Sequence, residues 1–314
     1  MTRHLLRDDD LTQSEQLEIL DLADALKRDP YSRQPLAGPQ TVALLFDKNS
    51  TRTRVSFHTA VSALGGSPLH ITRSESQLGG ETVADTARVL ERMVSAIVWR
   101  TYDQSGLEAM AAGTRIPVVN GLSDDFHPCQ LLADLQTIRE KKGELSGLTV
   151  TFIGDGSCNM AQSYALAGAT AGMHIRIACP DGYQPSEDII ADARRIAQKT
   201  GGSVIVGANI PELADAADVI VTDTWVSMGR EEEREERERA FGPYRVRAGV
   251  MSLAKPDAIF MHCLPAYRGS EVDADVIDGP QSVIWDETEN RVHAQKALLC
   301  WLLEHGDSAG AGAR

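Results

Sequence analysis

No C-x-x-C pair occurs among the five cysteines, at positions 129, 158, 179, 263 and 300. An odd, scattered set fits neither a disulfide framework nor a structural zinc site, and points to a reduced, cytoplasmic setting. Apolar runs approaching the roughly 20 residues that cross a bilayer are also missing. The opening residues, Met1-Thr2-Arg3-His4, lead into acidic ones rather than an apolar leader. Positive charge is in deficit: 31 Lys and Arg against 45 Asp and Glu leave a net charge of −14. That balance weighs against nucleic acid or an anionic membrane as partner, and makes any local basic cluster conspicuous. What remains is a chain of 314 residues, 42% hydrophobic, enough for one large or two ordinary domains. The tail from Ser308 to Arg314 is small and polar and is expected to fray.

Strand and helix patterns alternate along most of the chain. A capping-box spacing, Thr12 to Glu15, opens a helix striped by Leu17, Leu20, Ala23 and Leu26. After a turn-rich connector from Pro30 to Pro39, strands are expected at 41–46, 67–71, 96–99 and 117–120. Helices are expected at 52–64, 82–93, 106–112 and 129–142. Gly143 to Gly147 reads as a boundary, and a second series follows. Its strands are expected at 148–153, 174–178, 204–206, 219–222, 258–261 and 283–285. Its helices are expected at 160–171, 186–200 and 290–304, with a short one from Pro211. Such alternation with apolar strands predicts an α/β fold: two doubly wound parallel-sheet domains joined by long helices. The expected division is 1–142, 143–289, and a last helix with its tail, 290–314, packing back on the first domain. Ligands in such sheets sit beyond the carboxyl ends of the strands, so the active site is expected in the interdomain cleft.

The chemistry-bearing residues fall at those strand ends. Ser50-Thr51-Arg52-Thr53-Arg54 lies where the first strand hands over to a helix. Hydroxyls, guanidiniums and the unpaired N–H groups of a helix start suit a phosphate. One Ser or Thr would suffice as a cap; this stretch has three hydroxyls and two arginines. Arg100 ends another strand. His127-Pro128-Cys129-Gln130 opens the long helix on the same edge. In the second series, Asp223 follows one strand, and His262-Cys263-Leu264-Pro265 follows another. The thiol of Cys263 is open to reading as nucleophile, ligand or packing group, and the Leu-Pro step allows a cis bond. Gly154-Asp155-Gly156-Ser157-Cys158-Asn159 resembles half of a dinucleotide fingerprint. With Asn159 at the third glycine position and only Asp181 as a candidate acid, it reads better as a tight turn presenting Asn159 to a ligand. The charge run Glu231 to Arg239 reads as a solvated helix face. The loop before it follows a strand end, where lids and specificity loops occur.

In this order the motifs resemble the carbamoyltransferases, and Asp223-Thr224-Trp225-Val226-Ser227-Met228-Gly229 resembles the acceptor loop of the ornithine branch in particular. The resemblance runs from about residue 5 to residue 304. It implies carbamoyl phosphate bound by the first domain, ornithine by the second, and a homotrimer. Carried over by motif, Ser50, Thr51, Arg52 and Thr53 hold the phosphate. Arg100, His127 and Gln130 hold the carbamoyl group, and Arg291 reaches carbamoyl phosphate from the last helix. Gln77 matches a glutamine donated by a neighbouring subunit. Asn159, Asp223, Ser227 and Met228 bind the amino-acid end of ornithine. Cys263 and Leu264 line the reaction centre, with Cys263 the assigned proton acceptor. Catalysis on this reading rests on Cys263, Arg100 and His127, with no cofactor and no metal.

Two positions depart from the family pattern. An arginine is missing after Gly79, beside the inter-subunit glutamine, and Cys158 stands where the family commonly has asparagine. The implied reaction is attack of ornithine's δ-amine on the carbamoyl carbon, giving citrulline and phosphate in arginine metabolism. A carbamoyltransferase for another amine or amino acid and a non-catalytic metabolite-binding protein on the same fold are the competing readings.

Overall fold

A computed structural model describes residues 2–75, 80–226 and 231–306. The chain forms two compact units, Met1–Ala133 with Arg291–Arg314, and Asp134–Asn290.

In the first unit the chain runs α1 (Gln13–Arg28), β1 (Thr41–Phe46), α2 (Arg52–Ala63), β2 (Ser67–Thr72), α3 (Val83–Glu91), β3 (Ala96–Arg100), α4 (Gln104–Ala112) and β4 (Val118–Leu122). Helix α5 (Pro128–Lys142) begins in it and continues into the second unit. The four strands are parallel, in the order β2-β1-β3-β4. Strand β1 shows why the sheet is covered twice. Val42, Leu44 and Phe46 pack on one side with Phe57 and Val61 of α2, while Ala43 and Leu45 pack on the other with Trp99, Leu107 and Met110. A strand buried on both faces must be apolar throughout, which is why no alternation marks it in the sequence. The capping box at the start of α1 is formed: Thr12 accepts from the Glu15 N–H, and the Glu15 carboxylate accepts from the Thr12 N–H.

The second unit runs β5 (Thr149–Ile153), α6 (Asn159–Thr170), β6 (His174–Ala178), α7 (Glu187–Thr200), β7 (Ser203–Gly207), α8 (Ile210–Ala214), β8 (Val219–Val221), α9 (Arg234–Phe241), α10 (Ala248–Met251), β9 (Ile259–Met261), α11 (Ala274–Ile277) and the start of α12 (Ile284–His305). Its five strands are also parallel, in the order β7-β6-β5-β8-β9. Both units are therefore parallel-sheet α/β folds, with order reversals between β1 and β3 and between β5 and β8. Those reversals open a crevice at the carboxyl ends of the strands.

Helix α12 returns the chain to the first unit. Ala294, Leu298 and Leu302 join the core of α1 and β1, and the buried Lys296 donates to the carbonyls of Leu26 and Pro30.

Two expectations fail. Residues 283–285 form no strand. Ser282 makes a single bridge to Phe260, with the Val283 N–H donating to the Phe260 carbonyl, and the chain turns at once into α12. The β-branched Val283 and Ile284 suggested a strand, but the acidic Asp286 and Glu287 that follow belong to the first turn of a helix. The charge run is not wholly a solvated face either. Most of it is exposed, but Arg237 is 2% exposed.

Candidate active site

In the first unit, the turn after β1 and the end of β3 stand side by side because the strands pair in register, Phe46 opposite Arg100. The Asp47 N–H donates to the Arg100 carbonyl at 2.9 Å, and the Trp99 indole donates to the Asp47 carboxylate at 2.9 Å. The turn is thus fixed from below before it presents Ser50 and Thr51. Thr51 is the N-cap of α2, yet its side chain makes no capping bond and is exposed. Ser50, Arg52 and Arg54 are half-buried around it.

Thr53 is the meeting point. Its buried hydroxyl accepts from Arg100 Nη1 at 3.3 Å and from Arg291 Nη2 at 2.6 Å. Three elements, α2, β3 and α12, so place two guanidiniums at the start of one helix, where the macrodipole is positive as well. His127 lies next to this cluster, 4% exposed at the start of α5, followed by the fully buried Gln130, whose N–H donates to the His127 carbonyl at 2.9 Å. Burial holds the His127 imidazole well below its ordinary pKa, and Arg291, Arg100, Arg52 and Lys48 push the same way. Lys48 is a residue that motif reading passed over. It is buried, ion-paired with Asp124 and set 4.4 Å over the Tyr102 ring. Its signal in the sequence was a lysine within a turn leading to a hydroxyl-rich helix start.

In the second unit, β8 and β9 end beside one another, and their following residues meet. The Cys263 thiol donates to Asp223 Oδ1 at 3.3 Å, and the Thr224 N–H donates to the same oxygen at 2.7 Å. Burial raises the Cys263 pKa well above that of a free thiol, and the carboxylates of Asp223, Glu287 and Asp134 raise it further. Burial raises Asp223 as well. Cys263 is therefore a thiol rather than a thiolate at neutral pH, and a thiol donates a proton better than it accepts one.

The turn carrying it is held by buried polar groups. The His262 N–H donates to Glu287 at 3.0 Å, His262 Nδ1 accepts from the Leu264 N–H at 2.9 Å, and Nε2 faces Glu271 at 3.3 Å. Leu264 has φ 61, uncommon for a branched side chain, and its bond to Pro265 is cis. Ligand atoms of Asp223, His262 and Cys263 lie within 4.8 Å of one another. Both nitrogens of His262 are already engaged, so the grouping is a hydrogen-bonded set rather than an open metal centre.

Asn159 is the first residue of α6, after a turn with Gly154 at φ 140. A Cβ at Gly156 would stand 2.7 Å from the Tyr183 carbonyl oxygen, which accounts for that glycine by close backbone approach. Gln77, Ser227 and Met228 lie outside the described residues.

Both units resemble known protein domains. Residues 3–140 match the carbamoyl-P binding domain, and residues 146–302 the Asp/Orn binding domain, of the aspartate/ornithine carbamoyltransferases. The chain belongs to the aspartate/ornithine carbamoyltransferase family. Within that family, an ornithine carbamoyltransferase from Clavibacter michiganensis is 67% identical over 304 residues, covering 96% of this chain and 99% of the relative. One from Leifsonia xyli is 66% identical over 304 residues, 96% of this chain and 97% of the relative. Among solved structures, ornithine carbamoyltransferase from Pyrococcus furiosus superposes with a TM-score of 0.92 at 46% identity, covering 97% of this chain and 98% of that one. An anabolic ornithine carbamoyltransferase from Campylobacter jejuni does so with a TM-score of 0.90 at 39% identity, covering 96% and 98%.

Proposed function

We propose that the chain transfers the carbamoyl group of carbamoyl phosphate to the δ-amine of L-ornithine, giving L-citrulline and phosphate. The observation that carries the donor half is the convergence of Arg100 and Arg291 on Thr53 beside a neutral, buried His127. Ser50, Thr51, Arg52 and Thr53 hold the phosphate, whose leaving charge is met by Arg52 and the N-terminus of α2. Thr53, Arg100 and His127 donate to the carbamoyl oxygen as negative charge grows there, with Gln130 on the carbamoyl nitrogen. Each such donor is commonly worth about 3–4 kcal/mol to the transition state. A neutral imidazole suits that role, because it donates without adding a full charge to a site already rich in arginine.

The acceptor is held by the second unit, with Asn159, Asp223, Ser227 and Met228 on the amino-acid end. A lysine-like amine has an ordinary pKa of about 10.4 and must lose its proton to attack. Cationic neighbours and exclusion of water lower that value. Asp223 and Cys263 stand together to orient the amine, Leu264 lines the centre, and Asp223 is the better placed of the pair to accept a proton.

The setting follows from the same reading: arginine biosynthesis in the cytoplasm by a homotrimer in which Gln77 serves a neighbouring subunit. The anabolic description of the Campylobacter relative supports the direction. The five free cysteines support a reduced compartment, and among the described residues no helix is long and apolar enough to cross a membrane. Sedimentation at three times the 34.0 kDa chain mass checks the assembly; a monomer would refute it.

Titration calorimetry with carbamoyl phosphate tests the division of labour. Arg52→Gly is expected to abolish binding, while Cys263→Ala leaves it measurable. Equal loss in both variants would overturn the assignment.

A further inference from the structure

We propose that Arg237 is a positioning residue for the amino-acid acceptor. The inference rests on the acceptor reading above and adds to it a residue that touches no substrate. Arg237 lies within a run of exposed charges, yet it is 2% exposed. Its Nη1 donates to Asp155 Oδ2 at 2.6 Å and to the Trp225 carbonyl at 3.1 Å, and its Nε donates to Glu233 Oε2 at 2.6 Å. The other oxygen of Asp155 accepts from the Ser157 N–H at 2.9 Å and from its hydroxyl at 2.6 Å. One guanidinium therefore ties three pieces of chain together. The first is the β5–α6 turn that presents Asn159. The second is the segment two residues beyond Asp223. The third is the start of α9.

The surroundings are aromatic. The guanidinium lies 5.6 Å from the centre of the Tyr183 ring and 5.9 Å from that of Phe241, and Phe241 sits 6.1 Å from Trp225. A buried ion pair is an inefficient source of stability, because desolvation offsets most of the attraction. A planar fork with several acceptors instead fixes direction, which a lysine cannot reproduce. Arg237 thus joins the turn that leads into Asn159 to the carbonyl of Trp225, two residues beyond Asp223. Two residues expected on the amino-acid end of the acceptor, from different loops, share one anchor.

Steady-state kinetics of the full chain test this, with Arg237→Gln, Arg237→Lys and Asp155→Asn, alongside calorimetry with carbamoyl phosphate. Arg237→Gln and Asp155→Asn are expected to raise the KM for L-ornithine tenfold or more, and Arg237→Lys less than that. The carbamoyl phosphate Kd should stay within about twofold of wild type, since none of these residues belongs to the first unit. A lowered Tm with unchanged ornithine KM would make Arg237 merely structural and overturn the proposal. A parallel loss of carbamoyl phosphate binding would overturn it too. Should Arg237→Gln fail to fold, Glu233→Gln removes a partner that is 48% exposed. A two- to threefold rise in ornithine KM supports the proposal there, and no rise contradicts it. Wild-type turnover is measured first: a wild type that makes no citrulline fails the acceptor reading itself. An active wild type with variants of unchanged KM fails only the positioning role.

Discussion

At the scale of single residues, the site is built by burial as much as by charge. His127 owes its low pKa first to burial and then to Arg291, Arg100, Arg52 and Lys48. Above the ordinary histidine pKa of about 6.5, folded and unfolded chains both carry it neutral. As pH falls from there towards the lowered folded value, the unfolded chain binds a proton that the folded chain refuses, so stability falls over that window. His4 and His70, also lowered chiefly by burial, act in the same direction. In NMR of labelled histidine, the His127 ring of the free protein should still be neutral at pH 6. Protonation at or above 6.5 would contradict the account.

The thiols tell a similar story: burial raises Cys179 and Cys300 to about 12, and Cys263 rises well above 9.0. The residue types of the site were legible because hydroxyls and arginines at a strand end have few other uses. Lys48 and Arg237 were not. A lysine in a turn and an arginine in a charge run look solvated until tertiary contacts bury them. Nothing local records that Asp155, eighty-two residues before Arg237, is its partner.

Elements were the most legible scale. Most strands and helices fall within one or two residues of the periodicity reading, since apolar runs bounded by glycine or proline leave few alternatives. Residues 283–285 misled because the β-branched Val283 and Ile284 follow a single bridge at Ser282 and lead straight into α12. Short helices α10 and α11 carry too few turns for a periodicity to show. The half-fingerprint at 154–159 forms the turn between β5 and α6. Its Gly156 is explained by the backbone of Tyr183 and the Cys179 sulfur, 2.7 Å and 2.8 Å from where a Cβ would stand. Gly156→Ala should therefore cost about 1–3 kcal/mol, the range for overpacking a tight site. Urea unfolding checks this, and an unchanged midpoint would show that the turn relaxes freely.

For the whole molecule, two parallel-sheet units each bring their candidate site residues to a place where the strand order reverses. The residues proposed to bind the donor gather around Thr53 in one, and Cys263 meets Asp223, both proposed to face the acceptor, in the other. The fold class was readable from alternation alone, and the family from the order of the motifs. Where each unit begins and ends was harder to read, because α5 and α12 run through both. Helices without a break give the sequence no punctuation there. Against a net charge of −14, the basic cluster around Thr53 is a local exception, which suits the small dianion proposed to bind there.

The central claim is the identity of the reaction. Colorimetric assay of citrulline, with carbamoyl phosphate and L-ornithine supplied to the purified chain, tests it most directly. The account predicts citrulline and phosphate in equal amounts, with aspartate and putrescine giving little product as acceptors. No citrulline, or preferential carbamoylation of either other acceptor, would contradict it.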